Sequence, residues 1–208
     1  MILGMIGVGK TQMAKRLLAI TPRAIVLDRK KEYEDGQIFH TFKESAECFA
    51  ANRNGDFHII VRAEHQIEYF LWFRLILEAQ MHEAELNPNL KPIGLFVEES
   101  SIYSDSHSIP PEVEEVYTLG RVPRINVVTV AQRDTQVNPL LRDQTHILVA
   151  LRMHRPASRL GEDFRREELE VIPTLETIRP ETTPIYYKHY LTNVGPINIF
   201  EDWTRFNM

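Results

Sequence analysis

Apolar residues come in short unbroken runs along this chain, at Ala24–Leu27, Phe57–Val61, Ile93–Val97, Ile125–Val130 and Ile147–Leu151. Runs of that length without polar alternation predict strands covered on both faces, as in a parallel sheet. Between them the apolar positions take helical spacing, over about Lys10–Ile20, a shorter stretch near Glu44–Asn52, and a long one over about His65–Leu86. In the long segment Ile67, Phe70, Leu71, Leu75 and Leu77 cluster on one broad face, which predicts core packing first and a partner surface second. Proline marks the joints: Thr21-Pro22 and Asn87-Pro88 end helices, and Pro110-Pro111 precedes another that begins at Glu112. Strand and helix alternating in this way predict one α/β domain, a central and mostly parallel sheet flanked by helices. The serine-rich segment Ser100–Ser108 reads as an exposed loop. After Pro180, Ile185-Tyr186-Tyr187 and Ile197-Asn198-Ile199-Phe200 flank Asn193-Val194-Gly195-Pro196, which predicts a C-terminal β-hairpin added to the sheet. The expected organisation is a core over residues 1–151, with a helix and hairpin over 152–208 packed on the same domain.

Composition narrows this picture only a little. A chain of 208 residues can bury a core of its own without disulfides or structural metal. No apolar run approaches the roughly 18 residues of a membrane span, so direct membrane insertion is not expected. Met1-Ile2-Leu3 leads straight into a glycine-rich turn with no basic region before it, so a secretory signal is not expected either. The single cysteine, Cys48, carries no function here. Charge is more informative, because the net of -5 is unevenly distributed. From Arg121 to Arg166 nine arginines face four acids, a local +5 that leaves -10 for the rest. Arginines in such numbers are either solvated helix faces or contacts to phosphate, of a nucleotide or of DNA.

The chemistry begins at the N-terminus. Gly4-Met5-Ile6-Gly7-Val8-Gly9-Lys10-Thr11 fills every specified position of a phosphate-binding loop and is followed by the amphipathic segment that starts at Gln12. Glycines let backbone N–H groups converge on phosphate oxygens, the lysine reaches the terminal phosphates, and the hydroxyl ligates magnesium. ATP with Mg2+ is the cofactor pair this loop implies. Only three residues precede it, so its strand is either very short or partly missing. A second element is the apolar run Ile93–Val97 ending in Glu98-Glu99. Acids at the carboxyl end of a parallel strand lie where ligands bind. Glu98 is the expected magnesium contact, through water, and Glu99 the expected catalytic base. A third is Gln132, at the end of the Ile125–Val130 run, placed to orient the attacking water or to report on the terminal phosphate. The histidines show no zinc-type spacing, and no Gly-x-Ser-x-Gly nucleophile motif occurs.

The order of these motifs resembles the FtsK/HerA group of P-loop ATPases. Ala24-Ile25-Val26-Leu27 running into Asp28-Arg29-Lys30-Lys31-Glu32-Tyr33 is similar to that group's second strand and turn. Leu119-Gly120-Arg121, the strand to Val130 with Ala131-Gln132-Arg133, and Asn138-Pro139-Leu140-Leu141-Arg142-Asp143-Gln144 look like its Gly-Arg turn, Gln-Arg ending and following short helix. The resemblance covers residues 1–151 and implies a single RecA-like ASCE P-loop NTPase domain. Among such proteins, minimal chains resemble the genome-packaging ATPases of membrane-containing icosahedral double-stranded DNA viruses with double jelly-roll capsids. The implied function is an ATP-driven DNA translocase in a ring, commonly a hexamer, with portal or vertex proteins as partners, in the virion and host cytoplasm. An arginine from a neighbour would complete each site, with Arg121 the candidate and Arg142 the rival. Arg152, Arg155, Arg159, Arg165 and Arg166 are the candidates for contact with DNA phosphates. Two other readings stand beside this one: a nucleotide or nucleoside kinase, which also begins with a P-loop in a domain of this size, and a nucleotide-dependent scaffold with slow chemistry.

Overall fold

The computed structural model describes residues 1–64, 66–87, 89–104, 106–119, 124–145, 147–151, 186–190 and 198–200, the last two segments and Asp134 as backbone only. The elements in chain order are β1 (Ile2–Leu3), α1 (Lys10–Ala19), β2 (Arg23–Leu27), β3 (Gln37–Phe39), α2 (Phe42–Ala51), β4 (Phe57–Val61), α3 (Glu68–Leu86), β5 (Ile93–Val97), α4 (Pro111–Leu119), β6 (Ile125–Ala131), α5 (Pro139–Asp143), β7 (Ile147–Ala150), β8 (Tyr186–Tyr190) and β9 (Asn198–Phe200). Short 3-10 turns lie at Ser100–Ile102 and Asp134–Gln136. One sheet joins the strands in the order β3-β4-β2-β5-β6-β1-β7-β8-β9. Pairing from β3 through β7 is parallel throughout, and β8 and β9 extend it antiparallel. The expected mostly parallel sheet and the expected terminal hairpin strands are both present.

Alternation within the strands explains why the sheet is covered twice. In β2, Ile25 and Leu27 join a core with Phe70, Phe73 and Leu77 of α3 and Val113 and Val116 of α4. Ala24 and Val26 point the other way, onto Met13, Ala14 and Leu18 of α1. Every residue of β2 and β5 is buried, which is why those segments read as unbroken apolar runs. The very short first strand is what these residues form. Ile2 and Leu3 pair with Val130 and Ala131 on one side and with Val149 and Ala150 on the other.

Three expectations need correcting. Helix α3 begins at Glu68 rather than at His65, because Gln66, buried at 3% exposure, donates its amide to the Val61 carbonyl at 3.2 Å and holds the preceding turn against β4. Helix α2 starts at Phe42, two residues before Glu44, since Thr41 accepts the Glu44 N–H and caps it there. The segment from Ser100 is not simply an exposed loop: Ser100, Tyr103 and Ser104 are buried, and the Tyr103 hydroxyl donates to Gln66. β3 was not expected at all, being three residues long and mostly exposed at the sheet edge.

Candidate functional site

All the side chains singled out for chemistry among the described residues, apart from Arg142, converge at the carboxyl edge of the sheet. The strand order explains how. Leu3 pairs with Ala131, so the loop that opens at Gly4 lies beside Gln132. β6 in turn pairs with β5, which leads into Glu98-Glu99, and β5 pairs with β2, which leads into Asp28. Four connections thus meet along one edge, the usual location of ligands in open α/β sheets.

The loop itself is built for an anion. Gly7 and Gly9 have φ of 80° and 95°, left-handed values that an L side chain adopts only with strain. Gly9 then caps α1, whose first turn carries no acid, leaving its N–H groups and positive end facing the loop. Ile6 at the tip is exposed, whereas Val8 packs into the α1 core and pins the loop from below. Lys10 is 8% exposed and donates from Nζ to the Met5 carbonyl at 2.8 Å, so the lysine folds back across its own loop. Burial, joined by the charge of Lys30, pulls its ammonium below the ordinary range, and Glu99, Glu98 and Glu32 pull the other way. Gln12 follows Thr11 on α1 and is exposed.

Thr11 donates its hydroxyl to Glu32 Oε2 at 2.7 Å and lies 3.3 Å from Glu98 Oε1. Glu98 is 2% exposed and accepts the Tyr33 hydroxyl at 2.9 Å. Burial pushes its carboxyl above the usual range, and the like charge of Glu32 adds to this against the hydrogen bonds from Tyr33 and Thr11. A hydroxyl between two carboxylates, one of them buried at an energetic cost, is a set of hard oxygen donors suited to magnesium.

Glu99 has φ of 64°, a left-handed turn that swings its side chain away from that of Glu98. Its Oε2 accepts from Lys30 Nζ at 2.7 Å and from Gln132 Nε2 at 2.8 Å, and its Oε1 from the Ser101 hydroxyl at 2.8 Å. Burial would raise this carboxyl, but the hydrogen bonds from Lys30 and Ser101 and the charge of Lys30 outweigh it and hold the group below its ordinary range. Lys30 is raised in return, the hydrogen bond and charge of Glu99 overcoming its own partial burial.

Sequence reasoning found Lys10, Thr11, Glu98, Glu99 and Gln132 but gave no role to the turn that closes over them. The Asp28 carboxylate accepts the N–H groups of Glu32 at 2.9 Å and Tyr33 at 3.2 Å, and pairs with Arg62 Nε at 3.0 Å. This clamp presents Lys30 to Glu99, Glu32 to Thr11 and Tyr33 to Glu98. A basic and acidic turn directly after a buried strand was the available signal; the adjacency of β2 and β5 was not visible in it. Arg142 lies half-buried on α5, in the connection from β6 to β7. Arg121 and the DNA-contact candidates Arg152, Arg155, Arg159, Arg165 and Arg166 lie outside the described residues.

No protein-family model and no curated protein matches this sequence. Solved structures do match. The genome packaging NTPase B204 from Sulfolobus turreted icosahedral virus 2, in complex with ATP-gammaS, superposes with a TM-score of 0.69 at 15% identity, covering 97% of this chain and 95% of that one. The same protein has also been solved with AMPPCP. The pCW3 conjugation coupling protein TcpA with ATPgS gives a TM-score of 0.59 at 14% identity over 97% of this chain and 59% of that one. The EssC ATPases 2 and 3 from Geobacillus thermodenitrificans give 0.57 at 11% identity, over 91% and 37%. The chain therefore shares the fold of these proteins, an α/β domain with a mostly parallel sheet flanked by helices.

Proposed function

We propose that this chain is an ATP-driven translocase of double-stranded DNA that packages a viral genome, hydrolysing ATP with Mg2+ at sites shared between subunits of a ring. The observation that carries the reading is the meeting of Lys10, Thr11, Glu98, Glu99 and Gln132 at one sheet edge, with Gln132 and Glu99 already hydrogen-bonded at 2.8 Å. Gly4 to Thr11, with Gln12 behind them, cradle the triphosphate, and Lys10 exchanges its Met5 carbonyl for phosphate oxygens. Thr11 and Glu98, the latter through water, would hold magnesium, which would neutralise charge on the terminal phosphates. Glu99 accepts a proton from the attacking water while Gln132 orients it. A neighbouring subunit supplies an arginine, Arg121 or Arg142, to the developing charge. The similarity in fold to a viral packaging NTPase and a conjugation coupling protein supports DNA as the cargo, contacted along its phosphates by Arg152, Arg155, Arg159, Arg165 or Arg166. The expected setting is the virion packaging vertex and the host cytoplasm.

The test is hydrolysis of ATP by purified protein with and without double-stranded DNA. Lys10→Ala is expected to lose nucleotide binding and activity together. Glu99→Gln is expected to retain binding and lose about 10²–10⁴-fold in rate. Activity that survives both substitutions overturns the site, and phosphoryl transfer to a nucleoside in place of water would make the protein a kinase.

A further inference from the structure

Glu99 accepts three hydrogen bonds in this structure. Lys30 and Gln132 share one of its oxygens and Ser101 takes the other. A carboxylate paired with an ammonium is a weaker base toward water than one from which the ammonium has left. Gln132 follows directly on β6, and Ser101 lies in the 3-10 turn that begins after Glu99. Lys30 differs, because it reaches Glu99 from a turn held by the Asp28 clamp and 36% of its side chain is exposed. Its charge also bears on Lys10, so two ammonium groups converge on the phosphate loop, both holding acceptors that belong to the site itself.

We propose that Lys30 discriminates a nucleoside triphosphate from a diphosphate, exchanging Glu99 for the terminal phosphate and thereby freeing the base only when there is a bond to cleave. The exchange keeps the ammonium paired with an anion throughout, since the terminal phosphate takes the place that Glu99 gives up. A terminal phosphate offers more charge than one carboxylate oxygen already shared with an amide, and charge-assisted bonds to it are strong. A diphosphate leaves that position empty, and Lys30 stays on Glu99. This rests on the nucleotide reading of the site and adds to it a residue for specificity.

The test is equilibrium binding of AMPPCP and of ADP, each with Mg2+, to the full chain, so that no hydrolysis is needed. Lys30→Met is expected to weaken AMPPCP about tenfold and leave ADP within about twofold, a loss the size of one charge-assisted bond. Lys30→Arg is expected to keep most of the discrimination. Glu99→Gln, which releases Lys30 from its resting partner, is expected to tighten AMPPCP alone, and the gain should vanish in the Lys30→Met, Glu99→Gln double variant. A merely structural Lys30 would not produce that coupling. If Lys30→Met and Lys30→Gln both weaken the two nucleotides equally, or neither, the proposal is wrong while the site stands. If the wild-type chain binds no nucleotide, the reading of the site fails, and this proposal with it.

Discussion

At the tip of β5 one peptide unit separates two carboxylates whose surroundings push them in opposite directions. Glu98 continues the strand inward to Tyr33 and Thr11, whereas the left-handed turn at Glu99 sends its side chain outward to Lys30, Gln132 and Ser101. A non-glycine residue in that region carries backbone strain of about 1–3 kcal/mol, and such strain persists where surrounding contacts over-determine it. The pair also makes stability depend on pH with a fixed sign. Glu99 is depressed below its ordinary 4.5, so its contribution is present above that value and is lost as pH falls through the folded-state value. Lys30 is raised above its ordinary 10.5, so its contribution is present below that value and lost as pH rises through the folded-state value. Wild type should therefore melt above Lys30→Met near neutrality, and thermal melts across pH should show the gap closing at both acid and alkaline ends. A gap unchanged at pH 3 would mean that the ion pair is not its source.

The element on which the site depends most is the turn after β2, and its anchor is Asp28, wholly buried and paired with Arg62. Removing one partner of a buried pair leaves an uncompensated charge, so Asp28→Ala or Arg62→Ala should cost about 3–5 kcal/mol in urea unfolding, discounted in the first case because the charge left behind, on Arg62, is partly exposed. Phe73→Ala, which empties a fully buried position between α3 and the sheet, should cost a similar amount, about 3–5 kcal/mol. The two losses differ in kind. Phe73→Ala should leave nucleotide affinity near wild type at temperatures where the chain is folded, while loss of Asp28 should weaken it by releasing Lys30, Glu32 and Tyr33 together. Why one of these positions was legible in the sequence and the other was not follows from range. Helical periodicity announced α3 because burial of one face is a local pattern. The serines of Ser100–Ser108 misled because polarity alone does not show that Tyr103 reaches back to Gln66 and buries its neighbours. Asp28 stood out only through a resemblance in motif order, since its partners are Arg62, just past β4, and the backbone of the turn after β2.

For the molecule as a whole, sheet order turns four separated motifs into one site. Inserting β6 between β1 and β5 sets Gln132 between the phosphate loop and the acids, and β2 on the far side of β5 brings in Lys30. Composition could not reveal that order, although the unbroken apolar runs did reveal a parallel sheet. Net charge carries a further consequence. At -5 overall, the net charge offers no general attraction for nucleic acid, so the proposed DNA contact would depend on a local basic stretch such as that from Arg121 to Arg166. Stimulation of ATPase activity by DNA should then fall steeply with added salt, while basal activity at the partly enclosed site should change much less. A ring with shared sites makes a different demand. If the proposed sites are shared, wild-type specific activity should rise with protein concentration, since an isolated subunit would lack the cation its neighbour supplies. Glu99→Gln subunits keep the nucleotide loop and so should still assemble. Mixed with wild type at fixed total concentration, they should depress activity further than their mole fraction if neighbouring sites fire in sequence. A strictly linear decline would instead show that the sites fire independently. Because Glu99→Gln subunits still carry Arg121 and Arg142, the shared-site reading falls on a different result, specific activity unchanged by dilution, even if the Lys10 and Glu99 assignments survive.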